Sequence, residues 1–131
     1  MRGLGAIAGV VTRLDVRVGT VRERPLPIDH ERRAYDGGVL KIPHVGWNTL
    51  EITGAARILS GVPNGTYVYF THSYAAPVTA ETVAVTTHAS AFAAAVETAH
   101  VFGVQFHPEK SGDAGLRILR NFVELSCSPS A

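Results

Sequence analysis

The sharpest apolar–polar pattern lies in the last third of the chain. Between Ser111 and Ser126, Leu116, Leu119, Phe122 and Val123 recur at helical spacing, while Arg117, Arg120 and Glu124 fall largely on the other side. The spacing predicts an amphipathic helix over 111–126, with Ser111 as its cap and Asp113 in its first turn. Upstream the period shortens to two. After the turn signal Pro63-Asn64-Gly65, the run from Thr66 to Tyr74 is rich in aromatic and β-branched residues and predicts a strand. Val10 to Val18 and Glu81 to Thr87 read the same way. Val39 to Asn48 begins as a strand and is expected to break up at Pro43 and Gly46. Gly54 to Gly61 fits one or two helical turns.

Ala89 to Glu97 satisfies two templates. Its alanines favour helix, yet Phe92, Ala94 and Val96 alternate. Val101 to Phe106 follows, a buried strand by composition, with Thr98-Ala99-His100 between the two runs. A strand–turn–strand unit is the expectation. Residues 22–38, with Pro25, Pro27, Arg32-Arg33 and Gly37-Gly38, predict a loop or a short hairpin excursion whose charges form a solvated surface. The order is therefore several strands, few helices and a C-terminal helix. That makes a strand-rich α/β chain, short of helices for a self-contained domain and expected to be part of a larger one.

Bulk properties narrow the partners. A chain of 131 residues is one domain by size, with 46% hydrophobic and 18% charged residues. Twelve basic against eleven acidic residues give no electrostatic reason to propose nucleic acid or an anionic membrane. No apolar run is long enough to cross a bilayer, and the glycine-interrupted N-terminus does not read as a signal peptide. The single cysteine, Cys127, excludes an internal disulfide framework and fits a reducing, cytoplasmic setting. It lies in the polar tail 126–131, at a helix C-terminus where the dipole disfavours a thiolate.

Candidate chemistry concentrates at His107-Pro108-Glu109. In an extended backbone, residues two apart share a face, so Glu109 can hold one ring nitrogen of His107 while the other meets a reacting group. This is the base-plus-orienter half of a nucleophilic triad. Pro108 would end sheet pairing at that point. A second cluster is His72-Ser73-Tyr74. Ser73 lacks the tight glycine-flanked turn that exposes a nucleophile. A third, Pro43-His44-Val45-Gly46-Trp47-Asn48, carries the only tryptophan, either a packing residue or an aromatic interface anchor. The six histidines form no compact zinc-like pattern, so no metal or cofactor is expected. Gly3-Leu4-Gly5 is not preceded by the strand that a phosphate-cradling loop requires.

Gly103-Val104-Gln105-Phe106-His107-Pro108-Glu109 resembles the C-terminal signature of the class I, triad-type glutamine amidotransferases. Lys110-Ser111, Gly115-Leu116, Asn121-Phe122 and the clusters around Trp47 and His72 narrow the resemblance to the glutaminase subunits of imidazole glycerol phosphate synthase. It runs from about Gly3 to Leu125. It implies the C-terminal part of a flavodoxin-like fold, and L-glutamine as substrate. It also implies a (β/α)₈-barrel cyclase subunit as partner, which receives the released ammonia for histidine biosynthesis. On this resemblance His107 is the general base and acid, and Glu109 orients it. Ser73 and Tyr74 match positions whose backbone holds glutamine, and Trp47, Asn48, Tyr69 and Lys110 match the contact with the barrel. The family's cysteine nucleophile, in a glycine-flanked elbow upstream of the matching segment, has no counterpart in this sequence. The chain is therefore expected to be inactive alone, to expose apolar surface and to depend on a complementing fragment. Two alternatives stay open: a non-catalytic module that docks on the barrel, and the C-terminal part of another class I amidotransferase.

Overall fold

A computed structural model describes residues 9–14 and 42–127. Its centre is a two-stranded antiparallel ribbon of β2 (His44–Thr49) and β4 (Tyr67–His72). Partners directly opposite one another share a face. His44 faces His72, Gly46 faces Phe70 and Asn48 faces Val68, which makes one face; Trp47 faces Tyr69 on the other. Phe70 and Val68 are fully buried, so the first face is the inner one. Val45, Trp47 and Tyr67 are each more than half exposed on the outer face.

The expected break at Gly46 is corrected, whereas Pro43 stands in a bend just before β2. Gly46 lies within the strand at φ +128°, a conformation open to glycine, and the ladder to β4 runs past it unbroken. The remaining strands build a four-stranded sheet in the order β3 (Glu51–Ile52), β6 (Thr82–His88), β7 (Ser90–Thr98), β8 (Val101–Val104). The alternating reading of 89–97 holds, and Ala99-His100 turns β7 into β8. β8 is an edge strand, however, with Val101 exposed and its other residues half-buried, so the run from Val101 is less buried than its composition suggested. No helix forms over 54–61, which is a series of turns. A short pair joins β1 (Thr12–Arg13) to β5 (Tyr74–Ala75). Residues 15–18 of the strand predicted over 10–18, the start of the one predicted from Val39, the loop at 22–38 and most of the 126–131 tail lie outside the described residues. Every strand pairing among the described residues is antiparallel.

Helix α1 spans Gly112–Cys127, one residue displaced from its predicted bounds, so Cys127 closes the helix instead of following it. Its buried positions are Gly115, Ile118 and Asn121, a stripe with a period of three. Asn121 donates from Nδ2 to the carbonyls of Ile58 and Ser60 at 3.0 and 2.8 Å, which satisfies two buried acceptors in the 56–62 turns. The predicted apolar face is the outward one: Leu116, Leu119, Phe122 and Val123 are 39–57% exposed. The helix packs through Ile118, close approach at Gly115 and polar anchoring at Asn121, while its predicted hydrophobic stripe stays largely exposed, with Phe122 edge-on to Phe102 at 6.1 Å. Leu50, Val68, Phe70, Phe92, Ala94, Phe106 and Ile118 belong to the core beneath.

Candidate active site

After Phe106, which is buried, the chain leaves the sheet at His107, still extended at φ −101° and ψ 99°. Its backbone N–H donates to the Tyr69 carbonyl at 2.9 Å, fixing the histidine against β4. Pro108–Lys110 then forms one turn of 3-10 helix with proline at its start, where a missing N–H costs nothing. That turn, and not a continued strand, brings His107 and Glu109 together. His107 Nδ1 and Glu109 Oε2 are 2.9 Å apart. A carboxylate only accepts, so Nδ1 carries the hydrogen and Nε2 is left as the basic nitrogen. The hydrogen bond from His107 holds the exposed Glu109 carboxyl below its ordinary pKa, with smaller help from the backbone and Lys110.

Two further contacts hold the turn. Ser111 was expected to cap α1. Its hydroxyl instead accepts from the Tyr69 N–H at 2.9 Å and donates to the His107 carbonyl at 2.7 Å, riveting the turn to β4. Gly115 lies so close that a Cβ there would stand 1.9 Å from the Pro108 carbonyl oxygen. No side chain fits, and α1 seats directly on the turn that carries the dyad. Both residues lay within the motifs quoted from the sequence, but nothing in their spacing disclosed these tasks.

Ser73 sits at the bend between β4 and β5, half-buried, and its carbonyl accepts from Leu14 N–H at 2.8 Å. The Tyr74 side chain is exposed. On the outer face of the ribbon, Trp47 meets Tyr69 edge-on with ring centroids 5.9 Å apart, and Lys110 Nζ lies 5.8 Å from the Tyr69 ring centre. The structure thus brings Trp47, Tyr69 and Lys110 into one row beside the dyad. Asn48 is not in it. Strand alternation turns its amide inward, where Nδ2 donates to the Thr87 carbonyl at 3.1 Å and Oδ1 accepts from Thr49 N–H at 2.8 Å.

The inner face holds an unexpected cluster. His44, 4% exposed, stacks on Phe70 and His88 with centroids 4.7 and 4.0 Å apart, and its Nδ1 is 2.9 Å from His72 Nε2. Burial, then the neighbouring His88 and His72, push His44 from 6.5 down to about 3. Burial also lowers His72; a hydrogen bond to the Tyr74 carbonyl opposes that shift, and His88 and His107 add to it. The influence of His107 on His72 puts the two imidazoles within electrostatic reach. Sequence reading had taken the Pro43–Asn48 cluster for its tryptophan; the signal it missed was His44 and Asn48 four apart on one strand face. Among the described residues no group of His, Cys, Asp and Glu is arranged to hold a metal ion. A concavity of about 430 Å³ lined by Gly61, Asp113, Arg117 and Arg120 includes none of the candidate site residues.

Residues 15–125 match the family described as glutamine amidotransferase class-I. The chain is similar to a protein of Yersinia pseudotuberculosis named imidazole glycerol phosphate synthase subunit HisH, 46% identical over 86 residues. A protein of the same name from Xanthomonas euvesicatoria is 49% identical over 87 residues. Each alignment covers 66% of this chain and 44% of the relative, so the chain matches less than half the length of these relatives. The strand-rich α/β organisation with one C-terminal helix agrees with the fold expected from the sequence.

Proposed function

We propose, on the premise that this chain belongs to the class I glutamine amidotransferase family, that it supplies the histidine–glutamate half of a glutaminase. The ammonia it helps release from L-glutamine serves imidazole glycerol phosphate synthesis, the task in the names of its relatives. One observation carries the reading. Glu109 holds Nδ1 of His107 at 2.9 Å on a turn fastened by Ser111 and Gly115, which leaves Nε2 as a positioned base.

In this role Nε2 takes the proton of a thiol, and the thiolate attacks the carboxamide carbon of glutamine. The resulting imidazolium, stabilised by Glu109, returns the proton to the departing nitrogen, which leaves as ammonia. Water activated by the same nitrogen then cleaves the thioester to glutamate and restores the thiol. The chain's one cysteine is a poor source of that thiolate. It ends a 16-residue helix whose start adjoins the dyad's turn, roughly 24 Å away along the axis. We assign the nucleophile to a further segment, for which the greater length of the relatives leaves room. The backbone at Ser73 and Tyr74 holds glutamine, and the chain alone is inactive.

The test is a glutaminase assay of the chain combined with a cysteine-bearing N-terminal fragment of a relative and a cyclase barrel subunit. Ammonia release only in the combined sample is the expected result. Equal release with a cysteine-to-serine fragment would overturn the reading. The row Trp47–Tyr69–Lys110 favours a second reading, a docking module for the barrel without chemistry of its own. Barrel binding with no glutaminase activity in any combination would select it.

A further inference from the structure

The inner face of the ribbon admits one arrangement of hydrogens. Tyr74 offers a carbonyl to His72 Nδ1 at 2.9 Å, and a carbonyl only accepts, so Nδ1 of His72 is protonated. The facing nitrogen 2.9 Å from His72 Nε2 is His44 Nδ1. Asn48 Nδ2 approaches the remaining nitrogen, His44 Nε2, at 3.3 Å. Its amide cannot be reversed without breaking its bonds to the Thr87 carbonyl and the Thr49 N–H, so this atom is a donor. His44 therefore accepts at Nε2 and donates at Nδ1, and His72 accepts at Nε2. The chain runs one way, from Asn48 through both rings to the Tyr74 carbonyl. Two neutral imidazoles, both in the Nδ1–H form, satisfy every contact.

The rings have little room to turn. His44 lies between Phe70 and His88, and Phe92 meets His72 edge-on at 5.0 Å. What the relay holds is the β4–β5 bend. The Ser73 carbonyl is taken by Leu14 and the Tyr74 carbonyl by His72, so two successive peptide units are fixed from opposite partners. Both follow the end of β4, the strand whose Tyr69 carbonyl tethers His107.

We propose that His44 and His72 are positioning residues: their one-way relay sets the Ser73–Tyr74 backbone at the height from which it holds glutamine beside His107. The proposal rests on the functional reading above for its substrate, and on the hydrogen-bond chain alone for its geometry.

Two substitutions at one residue divide the relay. In His72→Asn the amide nitrogen takes the place of Nδ1 and keeps the bond to Tyr74. In His72→Gln the amide oxygen takes the place of Nε2, which keeps the partner of His44 and releases Tyr74. In the combined glutaminase assay, His72→Gln should raise KM for glutamine about ten-fold while kcat changes less than about three-fold; His72→Asn, which severs only the link to His44, should raise KM about three-fold. Ring spectra of isotope-labelled histidine in the full chain should show Nδ1–H at both His44 and His72. Hydrogen exchange of the 73–75 amides should be faster in His72→Gln than in His72→Asn. An Nε2–H form at either ring, or equal effects of the two substitutions, would overturn the proposal. If the unsubstituted assembly releases no ammonia, the functional reading falls; the tautomers and exchange rates then still decide whether the relay holds the bend.

Discussion

Two imidazole sites are anchored on β4, and each is built on a 2.9 Å bond. At His107 the ring hands its Nδ1 hydrogen to an exposed carboxylate and keeps Nε2 unspent by that bond. At His44 and His72 the same Nδ1 hydrogens go to neutral acceptors, and each Nε2 is consumed by a neighbour. The tautomer is common to all three rings, while the surroundings decide what the second nitrogen does. A carboxylate in water leaves a base that can gain and lose protons. Burial against aromatic rings leaves a spacer that resists protonation, as the fall of His44 to about 3 records. Reactivity and rigidity come from the same side chain in two dielectric settings.

Removing the reactive ring should separate the sites most sharply. His107→Ala in the combined assay should lower kcat at least about 10³-fold while the unfolding midpoint of the chain stays near its original value. Retained activity would mean that the two sites do not differ as described. Gly115→Ala attacks the seat of the dyad and spares the relay. Overpacking against the Pro108 carbonyl should cost about 3 kcal/mol in urea unfolding. A neutral result would show that α1 is free to lift from the turn. Glu109→Gln keeps the fold and removes the charge that stabilises an imidazolium. Because the pair is exposed and screened, about a 30-fold loss in kcat is expected, smaller than for a buried orienting carboxylate.

Acid titration reads the other site. An unfolded His44 takes up a proton near pH 6.5, whereas the folded ring refuses it until about pH 3. Stability is therefore full above 6.5 and falls as pH drops toward 3, by up to about 1.4 kcal/mol per pH unit for this ring. His72 acts in the same direction, lowered first by burial and further by the neighbouring His88 and His107. Glu97 contributes at lower pH. Burial raises its carboxyl, but hydrogen bonds from the Arg57 side chain and the 57–58 backbone outweigh burial and hold it down. Unfolding midpoints measured against pH should slope in the upper half of this window, and His44→Asn should flatten that slope. A flat profile for the unsubstituted chain would place His44 in a wetter setting than the one described.

Local sequence carried the elements well where one rule governed them. The alternation at Phe92, Ala94 and Val96 marked β7, and His107 with Glu109 was legible as a pair from its spacing. The means of pairing was not legible, because a proline can end a strand or begin a 3-10 turn and only the tether to Tyr69 decides which. Gly46 looked like a break because a glycine's φ is invisible in sequence, and the ladder to β4 is a long-range fact. That ladder also separates Trp47 from Asn48, which the family resemblance had joined. The helix was legible as an amphipathic element, but not which face it buries, because Gly115 and Asn121 bury themselves by closeness and hydrogen bonds, which a hydrophobic pattern does not register.

The contact between Gly115 and Pro108 has a consequence for anyone diversifying this protein. A saturation library across 112–120, sorted for folded chains, should return glycine at 115 almost without exception, while exposed Leu116 and Leu119 drift among many residue types. A carbonyl oxygen 1.9 Å from where a methyl group would stand makes that codon the fixed point of the library.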